Sequence, residues 1–236
     1  MSADTQKKAA AHFALKVVTD GVKIGLGTGS TANYFIEAAA EKTKRENLKV
    51  EFVPTSAQTY ALAQKLGLHL RTLEDVPFLD FTVDGCDEFD SSFRLIKGGG
   101  GALHREKLVA SSSRFVIAIC DESKKVDTLG KFPLPVEVSK YGVNATAWKI
   151  ERLLTQLGWE KPKMKLRSDA DGKPFITEMG NAIIDLDLQK ISNPEMLEAA
   201  LNGLPGVIDT GLFIRICGIV MMGTDNGVVE LTKKSK

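Results

Sequence analysis

The feature that most constrains this chain is the alternation, from Thr5 to Cys120, of helix-period segments with short apolar runs. Thr5 to Val18 sets Phe13, Ala14, Val17 and Val18 against Lys7, Lys8 and Lys16, the pattern of an amphipathic opening helix. Val22 to Leu26 then reads as a buried strand, Thr31 to Lys44 as a helix, Lys49 to Val53 as a strand, Ala57 to Leu66 as a helix and Leu68 to Arg71 as a short strand. Phe78 to Asp84 and Phe93 to Lys97 add strands, Leu103 to Ser112 a helix and Phe115 to Cys120 a further strand. Strands separated by helices imply a parallel sheet covered on both faces, with ligands bound beyond the strands' carboxyl ends.

The pattern changes after Lys131-Phe132-Pro133-Leu134-Pro135, where two prolines in three residues fit an extended connector. Strand Val136 to Val138, helix Thr146 to Leu157, strand Lys163 to Arg167, strand Phe175 to Asp187, helix Pro194 to Leu201 and strand Val207 to Phe213 follow in the order β-α-β-β-α-β. That order is ferredoxin-like. Arg215 to Met222 and Val228 to Leu231, joined by Thr224-Asp225-Asn226-Gly227, read as a closing hairpin that returns to the first domain. The expected fold class is therefore α/β: a Rossmann-like parallel-sheet domain at 1–134 plus 208–236, and a smaller ferredoxin-like α+β domain at 135–207.

Composition removes several classes of function. A net charge of +1 gives no basic field for nucleic acid. The apolar stretches are too short to span a membrane, and the charged opening is no signal peptide, so a cytoplasmic protein is expected. Cys86, Cys120 and Cys217 are odd in number and lack metal-ligand spacing; His12, His69 and His104 are scattered. Proton transfer here falls to carboxylates and lysines.

Three glycine-bearing loops remain. Gly25-Leu26-Gly27-Thr28-Gly29-Ser30-Thr31-Ala32 follows a strand and opens a helix, but Ser30 stands where a dinucleotide fingerprint needs its third glycine, and no lysine makes it a P-loop. It is either a backbone nest for one phosphate or a tight turn with a hydroxyl N-cap. Asp84-Gly85-Cys86-Asp87 ends a strand; its two acids either share protons with a sugar hydroxyl, form an Asx turn and cap, or supply half of a divalent-metal site. Lys97-Gly98-Gly99-Gly100-Gly101 is costly to order, so it is either a close backbone approach to a ligand or a hinge. Glu106, one turn into the next helix, either converges with Lys97 on that ligand or is a surface carboxylate.

Together these loops, with Asp121-Glu122-Ser123-Lys124 and the segment after it, resemble the motifs of the type A ribose-5-phosphate isomerase family, in order and over nearly the whole chain. The resemblance implies interconversion of ribose 5-phosphate and ribulose 5-phosphate in the non-oxidative pentose phosphate pathway, without metal or cofactor, by a homodimer or tetramer. It makes Glu106 the proton-transferring base, Lys97 the partner of the enediolate oxygen, and Asp84 and Asp87 the groups for ring opening and hydroxyl protons. It assigns substrate binding to Thr28, Gly29, Ser30 and Thr31, to Asp84, Gly85, Cys86 and Asp87, to Lys97, Gly98, Gly99 and Gly100, and to Lys124 and Lys7. Cys86, Gly101 and His104 depart from the residues usual in the family, and none removes a charge the chemistry uses. The rival readings are an amino-sugar-phosphate deaminase, an acyl-coenzyme A transferase and a non-catalytic sugar-phosphate sensor.

Overall fold

The structure, a computed structural model, describes residues 1–233; positions 234–236 of the expected 208–236 segment lie outside the described residues. In chain order the elements are α1 (Ala3–Ala14), β1 (Lys23–Leu26), α2 (Ser30–Glu46), β2 (Glu51–Pro54), α3 (Ala57–Lys65), β3 (Phe81–Asp84), β4 (Glu88–Phe89), β5 (Leu95–Ile96), α4 (Leu103–Ser111) and β6 (Val116–Asp121). Then come β7 (Leu134–Val138), α5 (Val143–Gln156), β8 (Lys163–Leu166), β9 (Ala182–Asp187), α6 (Pro194–Asn202), β10 (Val207–Thr210), β11 (Leu212–Phe213), β12 (Cys217–Thr224) and β13 (Gly227–Thr232). Two compact units result, one of residues 1–86, 105–125 and 215–236, the other of 87–104 and 126–214. The division falls inside α4.

The first unit is built on a six-stranded sheet ordered β13-β12-β6-β3-β1-β2. Its strands run parallel from β2 to β12, and β13 folds back antiparallel as the closing hairpin expected from the sequence. Ile24, Leu26, Phe35, Ile36, Phe52, Val83, Ile117 and Ile119 form a dry core, sheet against helix. Serine caps start two of its helices: the Ser2 hydroxyl accepts the Thr5 N–H at 3.2 Å, and that of Ser56 accepts the Thr59 N–H at 3.0 Å. Gln6, buried on α1, donates to Glu122 and to Asp225, so α1 is fastened both to the turn after β6 and to the β12–β13 turn.

The second unit holds a four-stranded antiparallel sheet ordered β10-β7-β9-β8, with α5 and α6 in the crossovers. This is the expected ferredoxin-like order. A second sheet, β11-β5-β4, was not expected from the sequence: β4 is only two residues long, while β5 and β11 fall inside the longer strands expected at Phe93 to Lys97 and Val207 to Phe213. The expected strand Val207 to Phe213 is broken at Gly211, where a Cβ would lie 2.4 Å from the Lys97 carbonyl oxygen, and its halves join different sheets. Phe93 turns with φ +62°, shortening the strand expected there to Leu95–Ile96. Leu68 to Arg71 contributes a single bridge, Leu70 to Phe52, and Phe175 to Asn181 forms one bridge, Ile176 to Ala182, and a turn ahead of β9.

Close packing of α1 on β12 yields a prediction. A Cβ on Gly223 would sit 2.0 Å from the Gln6 carbonyl oxygen, backbone that cannot swing aside. Gly223→Ala is expected to cost about 1–3 kcal/mol, the range for overpacking, read as a lower urea midpoint at unchanged slope.

Candidate active site

At the carboxyl end of β3, Asp84 is 1% exposed, and its Oδ1 accepts two backbone N–H groups, Thr28 at 3.0 Å and Gly85 at 2.7 Å. The first ties the glycine turn after β1 to the neighbouring strand. Gly27 makes this possible, since a Cβ there would lie 2.1 Å from Asp84 Oδ1. The Thr28 hydroxyl turns inward to a cluster of hydroxyls, 2.7 Å from Thr55 Oγ1, 2.8 Å from Ser56 Oγ and 3.1 Å from Thr59 Oγ1. Thr59 in turn donates to the Gly27 carbonyl at 2.9 Å, closing the turn from beneath.

What faces outward is the start of α2. Gly29 has φ +113° with open space where a Cβ would be, Ser30 is exposed and Thr31 is buried. A helix N-terminus presents unpaired N–H groups and a positive dipole end. Lys7 Nζ lies 3.4 Å from Ser30 Oγ, so a half-buried lysine from α1 adds a full charge beside that dipole. Lys124, also half-buried, sits on the short 3-10 turn Glu122–Lys124, whose first residue is gripped by Gln6 next to Lys7. The arrangement suits one phosphate group.

The carboxylate of Glu106 is 4% exposed in the first turn of α4, which excludes the surface-glutamate alternative. Cys86 is half-buried, whereas Cys120 and Cys217 are buried. Hydrogen bonding with Cys86, then burial, holds the Cys120 thiol well above its ordinary pKa. Burial pushes the Cys217 thiol up to about 12.

In the second unit, Lys97 is 3% exposed, with Nζ 5.5 Å from the centroid of the Phe213 ring. The glycine run beyond it is anchored at three points. Lys97 N–H donates to the Gly211 carbonyl at 2.9 Å, Gly99 N–H to Asp87 Oδ2 at 2.9 Å, and Gly101 N–H to the Gly98 carbonyl at 3.0 Å. Gly98 (φ +101°) and Gly101 (φ +84°) take conformations that other residues resist. A Cβ on Gly101 would meet the Phe175 ring at 2.4 Å, and one on Gly99 would meet Asp87 Oδ1 at 2.8 Å. The run is a fixed ledge whose tip, Gly99 and Gly100, is exposed; the hinge alternative fails. His104 Nδ1 lies 3.1 Å from Asp209 Oδ2.

Sequence reasoning missed three residues that hold these parts: Gln6, Arg167 and Asp185. A glutamine on a helix and an arginine before a turn carry no local signal, because their partners are distant in sequence.

Comparison with known proteins gives the context. A family model described as Ribose 5-phosphate isomerase A (phosphoriboisomerase A) matches residues 51–227. The chain is 52% identical over 227 residues to Ribose-5-phosphate isomerase A of Parvibaculum lavamentivorans, covering 96% of this chain and 97% of that one. Among solved structures it is similar to ribose 5-phosphate isomerase from Plasmodium falciparum, with TM-score 0.92 and 37% identity over 98% of this chain and all of that one. A D-ribose-5-phosphate isomerase in complex with phospho-erythronic acid superposes with TM-score 0.90 at 40% identity, covering 99% of this chain and 100% of that chain.

Two outcomes are expected. Gly27→Ala displaces Asp84 from the turn and lowers stability by about 1–3 kcal/mol, measured by denaturant titration. At pH 8 a thiol reagent leaves Cys120 and Cys217 unmodified in the native protein and labels them after denaturation, as mass spectrometry of the peptides will show.

Proposed function

The chain belongs to the ribose 5-phosphate isomerase A family, and from that premise we propose that Glu106 is the base with which it interconverts D-ribose 5-phosphate and D-ribulose 5-phosphate. The observation that carries the assignment is a carboxylate 4% exposed at the start of α4, the helix that the anchored glycine run leads into. In this reading Glu106 takes the proton from carbon-2 of the open-chain aldose. The C–H electron pair becomes the C1=C2 bond, and the carbonyl π pair moves onto oxygen-1. The buried Lys97 ammonium offsets that developing negative charge, the kind of preorganised electrostatics that contributes most in a site short of water. Glu106 then returns the proton to carbon-1 while a hydroxyl proton moves from oxygen-2 to oxygen-1. Asp84 and Asp87 serve the ring-opening and hydroxyl steps.

Phosphate binding falls to the start of α2, through Gly29, Ser30 and Thr31, with Lys7 and Lys124 supplying charge. Thr28 supports the turn from within, through the hydroxyl cluster and the bond to Asp84. Gly85 and Cys86 carry the chain between the two acids, and Gly98, Gly99 and Gly100 lie against the sugar. Holding the phosphate, remote from the reacting carbons, fixes the register of carbon-1 and carbon-2 on the base. The working enzyme needs no metal or cofactor in this scheme, and acts as a cytoplasmic homo-oligomer, dimer or tetramer.

Glu106→Gln is expected to lower kcat by at least ~10³-fold, within the range for losing a general base, while binding of phospho-erythronic acid measured calorimetrically stays within a few fold. Isomerisation in heavy water should place deuterium at carbon-1 of the ketose. A Glu106→Gln protein as active as the parent would remove the glutamate from this role.

A further inference from the structure

Arg167 lies just beyond β8, outside every motif considered so far. Its backbone is held on both sides, the N–H donating to the Ile183 carbonyl at 2.8 Å and the C=O accepting from Phe175 at 2.9 Å. Its guanidinium spends its donors on two targets. Nε donates to Asp185 Oδ2 at 2.9 Å and Nη2 to Asp185 Oδ1, a two-pronged pair that fixes the plane of the group. Nη1 then donates to the Gly98 carbonyl at 2.8 Å and the Gly99 carbonyl at 3.2 Å.

The consequence follows from peptide geometry. In a trans peptide the C=O and the next N–H point in opposite directions. Drawing the Gly98 carbonyl to Arg167 therefore turns the Gly99 N–H to the other side, where Asp87 Oδ2 receives it. Drawing in the Gly99 carbonyl likewise turns the Gly100 N–H away from the guanidinium, at the exposed tip of the ledge. Asp185 also neutralises the guanidinium charge, so an anionic substrate is not pulled to the wrong side of the run.

We propose that Arg167, oriented by Asp185, is a positioning residue of the isomerase that sets the peptide planes of Gly98 and Gly99 and so aims the Gly100 N–H at the sugar phosphate. This rests on the reading that the glycine run binds substrate. Lysine cannot replace it, having no planar fork to hold a carboxylate and two carbonyls together.

The test uses the full chain with Arg167→Ala, Arg167→Lys and Asp185→Asn. Arg167→Ala should lose on the order of 100-fold in kcat/KM, the scale of an ångström-sized misplacement; Arg167→Lys should recover little of it, and Asp185→Asn should fall in the same direction. Millimolar methylguanidinium should raise the activity of Arg167→Ala and leave the parent unchanged, and amide exchange at residues 98–101 should quicken in that variant. A folded Arg167→Ala with parental kcat/KM overturns the proposal, as does a loss that methylguanidinium leaves untouched and that comes without faster exchange in the run. If Arg167→Ala does not fold, Asp185→Asn decides by the same two readouts, activity and exchange. Glu106→Gln assayed alongside separates the readings: full activity there removes the base, whereas full activity in Arg167→Ala beside an inactive Glu106→Gln removes only the positioning role.

Discussion

The bond from the Thr28 N–H to Asp84 is the constraint on which the rest of the first unit's site depends. It joins the turn after β1 to the end of β3, and it exists only because position 27 lacks a side chain. Asp84 thereby does two things with one oxygen: it orders the turn whose next residues open α2, and it accepts the N–H of Gly85, which starts the loop toward Asp87. Two N–H donors on one oxygen offset part of the cost of burying this carboxylate. The start of α2 and the acid loop are therefore one structure, with a shared anchor.

The glycine run of the second unit follows the same logic with different parts. Four consecutive glycines ought to be the loosest segment of the chain, since each loses the most backbone entropy on ordering. Instead Gly211, Asp87, Phe175 and the Arg167–Asp185 pair hold it from separate elements. The absence of side chains lets these groups come near enough to do so. The entropic cost is met during folding, so in the proposed function the run is ordered before substrate arrives.

Much of this was legible in the sequence, for identifiable reasons. The parallel sheet announced itself through apolar runs spaced by helices, and the β-α-β-β-α-β order predicted the sheet β10-β7-β9-β8. The loops at Thr28, Asp84 and Lys97 stood out because glycine and acid sit at strand ends. What stayed hidden was everything that depends on pairing at a distance. β4 is too short to show a period, and the break at Gly211 that separates β11 from β10 comes with the close approach of Lys97, more than a hundred residues earlier. Nor did the sequence show what the Thr28 hydroxyl meets: the Thr55, Ser56 and Thr59 hydroxyls beside it belong to another strand–helix turn.

The fastening of α1 bears on the order in which the chain can assemble. The helix α1 packs on β12, and its Gln6 reaches Asp225, 219 residues further along the chain, so its native partners are synthesised long after it. β6 waits with it, because β12 is one of its two sheet neighbours. Such long sequence separations slow the search for native pairings and leave early apolar faces uncovered meanwhile. A nascent chain of this kind has reason to need shelter until the β12–β13 hairpin arrives.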